Sequence, residues 1–234
     1  MLPTLNHSTY TLKIPSTGKE IKYRPFLVKE EKTLMMAAES KDTKAITNAT
    51  CDIIQACVLN ENINPKELTS FDVEYIFLKI RGKSVGETID FNIKCEECSK
   101  TTPVSLNLDD IVLEIDGKDL NKKVMITDSI GVELKAISFG DAIKLSQAKV
   151  EDRFETTIKS CLASIFDNEN VYDIKDVNDK ELSEWISNLS QRDLKEIEKF
   201  VLQLPKLSHT INYKCIHCGH EGSIELEGLE DFFA

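Results

Sequence analysis

Residues 91–98, FNIKCEEC, and residues 211–218, INYKCIHC, each place a Cys-x-x-Cys pair directly behind an alternating apolar segment. The two pairs, Cys95/Cys98 and Cys215/Cys218, hold the same place in two stretches of chain that match each other in order. Asn92, Lys94, Cys95 and Cys98 meet Asn212, Lys214, Cys215 and Cys218 at an offset of 120, and Val104 and Leu106 meet Ile224 and Leu226 at the same offset. Further out the register drifts as loops change length. Leu68 and Asp72 meet Leu189 and Asp193 at 121, Cys51 meets Cys161 at 110, and Gly18, Glu20, Ile21, Lys22 and Phe26 meet Gly131, Glu133, Leu134, Lys135 and Phe139 at 113. Matches that keep their order over about 100 residues point to an internal duplication. The competing reading is that two segments share only a hydrophobic pattern.

Each copy opens on period-two alternation around a turn signal, which reads as a β-hairpin. The first hairpin comprises residues 10–14 and 20–23 around Ser16-Thr17-Gly18; the second comprises 124–126 and 132–137 around 128–131. Helical spacing follows over 28–39, 44–59 and 70–81 in the first copy, and over 141–149, 152–166, 180–188 and 192–204 in the second. Strands at 87–93 and 103–108, and again at 209–213 and 223–226, flank the cysteine pairs, so each pair sits at a hairpin tip. Residues 109–122 form a polar junction. The expected fold is α+β, with a first repeat at 1–116 and a second at 117–234. Each repeat is a β-hairpin, a helical segment and a CxxC-tipped β-hairpin. The copies are related by a pseudo-twofold axis and joined into one compact body by a shared zinc knuckle pair.

The chemistry favours a metal. A CxxC at a hairpin tip offers two thiolates and the turn's amides, half of a tetrahedral zinc shell with zinc to sulfur distances of about 2.3 Å. Here 116 residues separate Cys98 from Cys215, more than a compact zinc ribbon uses, and the duplication supplies the reason they meet. One structural zinc per chain, held by Cys95, Cys98, Cys215 and Cys218, would contribute a binding energy on the order of 10 kcal/mol coupled to folding. The redox alternative needs a helix N-terminus to lower a thiol pKa, and strand-like residues flank both pairs instead. His217 and His220 could each replace a thiolate, but Glu97 and Lys100 stand at their places in the first repeat. Cys51, Cys57 and Cys161 lie in helical apolar patterns and read as small buried hydrophobes.

Composition limits the partners. The chain carries 29 basic and 40 acidic residues for a net charge of −11, which opposes wrapping by a phosphate backbone. No stretch approaches the roughly 18 apolar residues of a membrane span, and residues 1–10 lack the regions of a signal peptide. The expectation is a cytosolic chain with no membrane partner and no small-molecule substrate, and with nucleic acid disfavoured as a partner by the charge. Gly82-Lys83-Ser84 imitates the end of a phosphate-binding loop, but the earlier glycine is replaced by Phe77. No catalytic constellation emerges. Trp185 reads as a core anchor, and Leu226, Leu229, Phe232 and Phe233 as a tail covering the protein's own core, with docking to a partner as the alternative. Met1-Leu2-Pro3 and Leu34-Met35-Met36 raise the same choice.

The opening MLPTLNHSTYTLKIPSTGKEIKYRPFLVKEEKTLM, a hairpin entering a Phe-Leu-x-x-Glu-Glu-Lys helix, together with IKCEEC, resembles the baseplate hub subunit and hub assembly family of T-even-type tailed bacteriophages. The resemblance implies assembly of the central hub of a contractile-tail baseplate and contact with other baseplate hub subunits. It implies residence in the host cytoplasm during assembly or in the virion baseplate, and it brings no enzyme activity. The physical alternatives are a zinc-ribbon regulator that binds nucleic acid, favoured by the knuckles and opposed by the charge, and a CxxC thiol oxidoreductase.

Overall fold

The computed structural model describes residues 5–111, 113, 115 and 120–233. These divide into two compact units. The first takes the described residues of Met1–Pro65, Phe71–Glu114 and Lys206–Ala234, and the second those of Lys66–Ser70 and Ile115–Pro205. The chain therefore enters the first unit, leaves it and returns. This division follows packing, whereas the repeats 1–116 and 117–234 are read from sequence matches.

The first unit begins with the antiparallel pair β1 (Tyr10–Lys13) and β2 (Glu20–Tyr23), in which Tyr10 faces Tyr23 and Lys13 faces Glu20. Ile21 and Tyr23 point inward from β2 while Glu20 and Lys22 point out, the alternation expected of a half-buried strand. Helices α1 (Val28–Ser40) and α2 (Thr43–Cys57) follow. The Asp42 side chain accepts from the Lys44 amide at 2.9 Å and so caps α2. α2 ends at Cys57 because the next residue, Val58, forms an antiparallel bridge with Tyr23. Helix α3 (Ser70–Val85) buries residues on most of its circumference, among them Phe71, Val73, Ile76, Leu78 and Ile80, so it runs through the core. β3 (Thr88–Lys94) and β4 (Thr101–Asn107) then pair along their full length.

The second unit carries an antiparallel sheet in the order β5-β6-β7-β8, made of β5 (Asn121–Met125), β6 (Gly131–Lys135), β7 (Leu162–Phe166) and β8 (Val171–Asp173). Between β6 and β7 lie α4 (Phe139–Gln147), capped by Ser138, and α5 (Val150–Cys161). After β8 come α6 (Asp179–Ser187) and α7 (Gln191–Gln203), the latter started by a reciprocal Ser190 and Asp193 capping box. Val132, Leu134, Leu162, Leu182, Ile197 and Phe200 form the core of this unit. Back in the first unit, β9 (Ser208–Lys214) and β10 (Glu221–Glu227) form a second long hairpin and α8 (Gly228–Phe233) ends the described chain.

The elements are mixed α and β with antiparallel strands throughout, the α+β class expected. The main difference is at 152–166, where a single helix is expected. The helix stops at Cys161, and Leu162–Phe166 pairs with β6 on one side and β8 on the other. A short apolar run such as Leu-Ala-Ser-Ile-Phe continues a helical stripe and suits a buried strand equally well, and here the neighbouring strands decide. The helix expected over 44–59 stops at Cys57 for the same kind of reason. Among the described residues no helix is long and apolar enough to cross a membrane.

Leu226 and Phe232 are buried and Leu229 is partly so, all packed in the core beneath the two long hairpins. The side chain of Phe233, like Met1-Leu2-Pro3, lies outside the described residues. Met35 and Met36 are exposed, and Leu34 is half-buried.

Glu74 on α3 is half-buried in the first unit, and no cation among the described residues offsets the loss of water around it. Burial, and then the Glu227 carboxylate, push its carboxyl up to about 7. A carboxyl whose folded pKa lies above its unfolded value of about 4.3 binds more protons folded than unfolded between the two. Stability therefore falls as pH rises from about 4.5 through 7. Glu74→Gln is expected to stabilise the protein at pH 8 by roughly 2 kcal/mol and to change little at pH 4, as urea titrations at both pH values would register.

Candidate metal centre

Both cysteine pairs belong to the first unit and sit where β3 turns into β4 and β9 turns into β10. The two loops, Cys-Glu-Glu-Cys-Ser-Lys at 95–100 and Cys-Ile-His-Cys-Gly-His at 215–220, have equal length and the same internal bonds. The Cys95 amide donates to the Lys100 carbonyl at 2.9 Å and the Cys215 amide to the His220 carbonyl at 2.8 Å; the Ser99 and Gly219 amides return to Cys95 and Cys215, each at 2.9 Å. The turn needs a left-handed residue after its second cysteine. Gly219 takes φ of 76° at no steric cost, and Ser99 takes 57° in the other loop.

Equal loops on equal hairpins bring the sulfurs into crosswise pairs. Cys95 Sγ lies 3.7 Å from Cys218 Sγ, and Cys98 Sγ lies 3.6 Å from Cys215 Sγ. All four sulfur atoms lie within 4.8 Å of one another, a set that could hold a metal ion. A regular tetrahedron with arms of about 2.3 Å has edges of about 3.8 Å, so the donor spacing matches a four-thiolate shell. A disulfide would need sulfurs about 2.05 Å apart, and all seven cysteines are free. The four donors come from one chain.

The surroundings are graded from dry to wet. Cys95 and Cys215 are 1% and 2% exposed, Cys98 is half-buried and Cys218 is exposed. The His217 amide approaches Cys215 Sγ at 3.4 Å. The Thr102 hydroxyl is buried and meets no partner at full hydrogen-bonding geometry. It nonetheless leads the influences that hold the Cys215 thiol down to about 5, followed by the backbone of His217 and Cys218, against burial. At Cys218 the lowering by the His220 backbone is outweighed by partial loss of water around the sulfur and by the sulfurs of Cys215, Cys98 and Cys95, which push that thiol up to about 12. Sulfurs in contact cannot all ionise without a cation between them, and a bound cation removes that conflict. The remaining cysteines are of another kind: burial pushes Cys57 up to about 11 and Cys161 up to about 12.

His217 and His220 are not in the sulfur cluster. The His217 ring is exposed, and its Nε2 lies 3.2 Å from the Thr101 carbonyl, so it clasps the opposite hairpin. Sequence reasoning missed Thr102, which belongs to an alternating strand and has no spacing that marks it. The Gly82-Lys83-Ser84 segment lies inside α3. Its Lys83 pairs with Glu87 and, at 2.7 Å, with Asp109, while the Ser84 hydroxyl accepts from the Phe26 amide at 2.9 Å.

The family model described as T4 bacteriophage base plate protein matches residues 7–234. The chain is 24% identical over 227 residues to the baseplate hub assembly protein gp26 of Enterobacteria phage T4, covering 96% of this chain and 97% of that protein. No solved structure matches it.

Proposed function

We propose that this chain, which belongs to the T4 bacteriophage base plate protein family, assembles the hub of a phage baseplate by protein contacts and has no enzyme activity. The observation that carries this reading is the match along nearly the whole of both chains to a protein named for baseplate hub assembly. Its partners are then other baseplate hub subunits, met in the host cytoplasm during assembly or in the virion baseplate.

The four cysteines hold a structural zinc ion in this reading. Four thiolates close the coordination shell and leave no position for substrate or water, so the ion staples and does not catalyse. Cys95, Cys98, Cys215 and Cys218 bind it, Thr102 and the knuckle amides favour the thiolate forms, and Cys95 and Cys215 are shielded from water.

The duplication into 1–116 and 117–234 is part of the same proposal. Each half runs hairpin, two helices, a strand or bridge back onto the hairpin, one later helix in the first half and two in the second, and a knuckle hairpin. Cys57 and Cys161 each end the second helix, and the next residues, Val58 and Leu162, each pair with the hairpin, at Tyr23 and Leu134. In this proposal Cys57, beside the Cys51 of the sequence match, is a second candidate counterpart of Cys161. The equal loops and crossed sulfur pairs support a local pseudo-twofold axis between the knuckles.

Co-expression with the hub subunits of the same phage tests the assembly role. A tagged chain is expected to purify with at least one hub subunit, at fixed or transient stoichiometry, and hub complexes formed without it should be incomplete. Hub complexes that form fully in its absence would defeat the reading.

A further inference from the structure

The second unit contains a pocket of about 270 Å³. Pockets that take drug-sized ligands or cofactors run from about 300 to 1,000 Å³, so this one suits a single long side chain. Its walls bring three elements together: Phe166 and Asp167 at the end of β7, Tyr172 on β8, and Glu181 and Trp185 on α6. Glu181 and Trp185 are four residues apart and share a helix face. Buried Leu182 belongs to the apolar floor.

Among the described residues the lining combines three aromatic rings with two carboxylates and includes no basic side chain. Asp167 is fixed in place. Its Oδ1 accepts from the Glu169 and Asn170 amides at 2.8 and 2.7 Å, and its Oδ2 accepts from the Tyr172 hydroxyl at 3.3 Å. Those amides hold its carboxyl below the ordinary range, so it stays ionised. Glu181 makes no hydrogen bond or ion pair among the described residues. Phe166 already attracts a cation from outside the pocket, for the exposed Lys123 ammonium stands 5.7 Å from its ring centroid.

An apolar slot with π faces and an unpaired carboxylate is matched by a group that is flat, cationic and carried on an aliphatic stem. A guanidinium stacks on Trp and Tyr and donates to carboxylates in pairs, which an ammonium does not do as well. The net charge of −11 favours a basic partner. We propose that this pocket receives an arginine side chain presented by a partner protein. The pocket shares no residue with the thiol site, and the inference stands or falls apart from zinc binding and from the hub reading.

Trp185 is the chain's only tryptophan, so intrinsic fluorescence reads the pocket directly. The full-length protein is titrated at constant ionic strength with N-acetyl-arginine amide, with N-acetyl-citrulline amide as the uncharged isostere and N-acetyl-lysine amide as the point charge. The arginine compound is expected to change the emission saturably with a Kd on the order of millimolar, and the other two at least about tenfold more weakly. Glu181→Gln, on an exposed helix position, should weaken arginine binding about fivefold with an unchanged circular dichroism spectrum. No saturable response, an equal response to citrulline or lysine, or unaltered binding in Glu181→Gln would each overturn the proposal.

Discussion

Cys95→Ser and Cys215→Ser are each expected to abolish zinc binding and to unfold the first unit's knuckle hairpins. Wild-type protein of defined oligomeric mass should contain one zinc per chain by elemental analysis, and each variant close to none. The size of the effect follows from what the ion joins. β3 and β4 belong to one passage of the chain through the first unit and β9 and β10 to the next, and at their tips the four sulfurs stand within 4.8 Å of one another. A structural zinc contributes on the order of 10 kcal/mol, while whole domains are stable by about 5–15 kcal/mol. Losing it should lower the thermal midpoint by on the order of 20 °C. A strong chelator should reproduce the loss in the wild type and expose four reactive thiols, while Cys51, Cys57 and Cys161 stay buried until the fold opens. Zinc retained at one per chain in either variant would show that the two knuckles do not share an ion. A metal-free wild type with a reversible Cys95 to Cys218 or Cys98 to Cys215 disulfide would move the site to redox chemistry.

The knuckles were legible because their signal is local. A CxxC between alternating segments fixes a hairpin tip from a short stretch of chain, and the proposed repeat offers a reason that tips so far apart in sequence should meet. The paired strands of β1/β2, β3/β4 and β9/β10 were legible for the same reason. What escaped depends on contacts that periodicity does not encode. Leu162–Phe166 reads as helix until β6 and β8 are present to pair with it. β8 is three residues long and all exposed, below any pattern threshold. Thr102 influences Cys215, 113 residues away in sequence, only once the chain is folded. The Trp185 pocket is assembled from Ile130 through Trp185 with no motif in common, and core packing and pocket lining both use that indole. That the chain closes one unit around both hairpins and builds another from Lys66–Ser70 and the described residues of Ile115–Pro205 is likewise a property of contacts, invisible to spacing.

Phe232→Ala should be the most damaging single change away from the cysteines, because it decides what the apolar C-terminal end is for. α8 spans six residues, too few to be stable as an isolated helix. It is placed by its ends and its contacts: the Gly228 amide donates to the Leu207 carbonyl at 2.8 Å, and Asp231 Oδ2 accepts from the Glu227 amide at 2.8 Å. Gly228 makes the corner with φ of 69°. The helix then delivers Phe232, 0% exposed, into a core with Leu78, Leu108, Leu207, Ile211 and Leu226. Truncating a buried phenylalanine to alanine costs about 3–5 kcal/mol through lost transfer energy and the cavity left behind. In a chain of this length that lowers the thermal midpoint by about 10 °C. Because Leu108, Leu226 and Phe232 pack in the core that also holds Ile93 and Ile211 from the knuckle strands, the same substitution should raise the rate of zinc transfer to a chelator. A tail built for docking behaves in the opposite way: Phe232→Ala would then leave the midpoint and the zinc transfer rate unchanged and would weaken only the contact with a hub partner. Measuring both quantities on one variant separates the two roles, and the burial of Phe232 within its own chain sets the expectation on the side of the core.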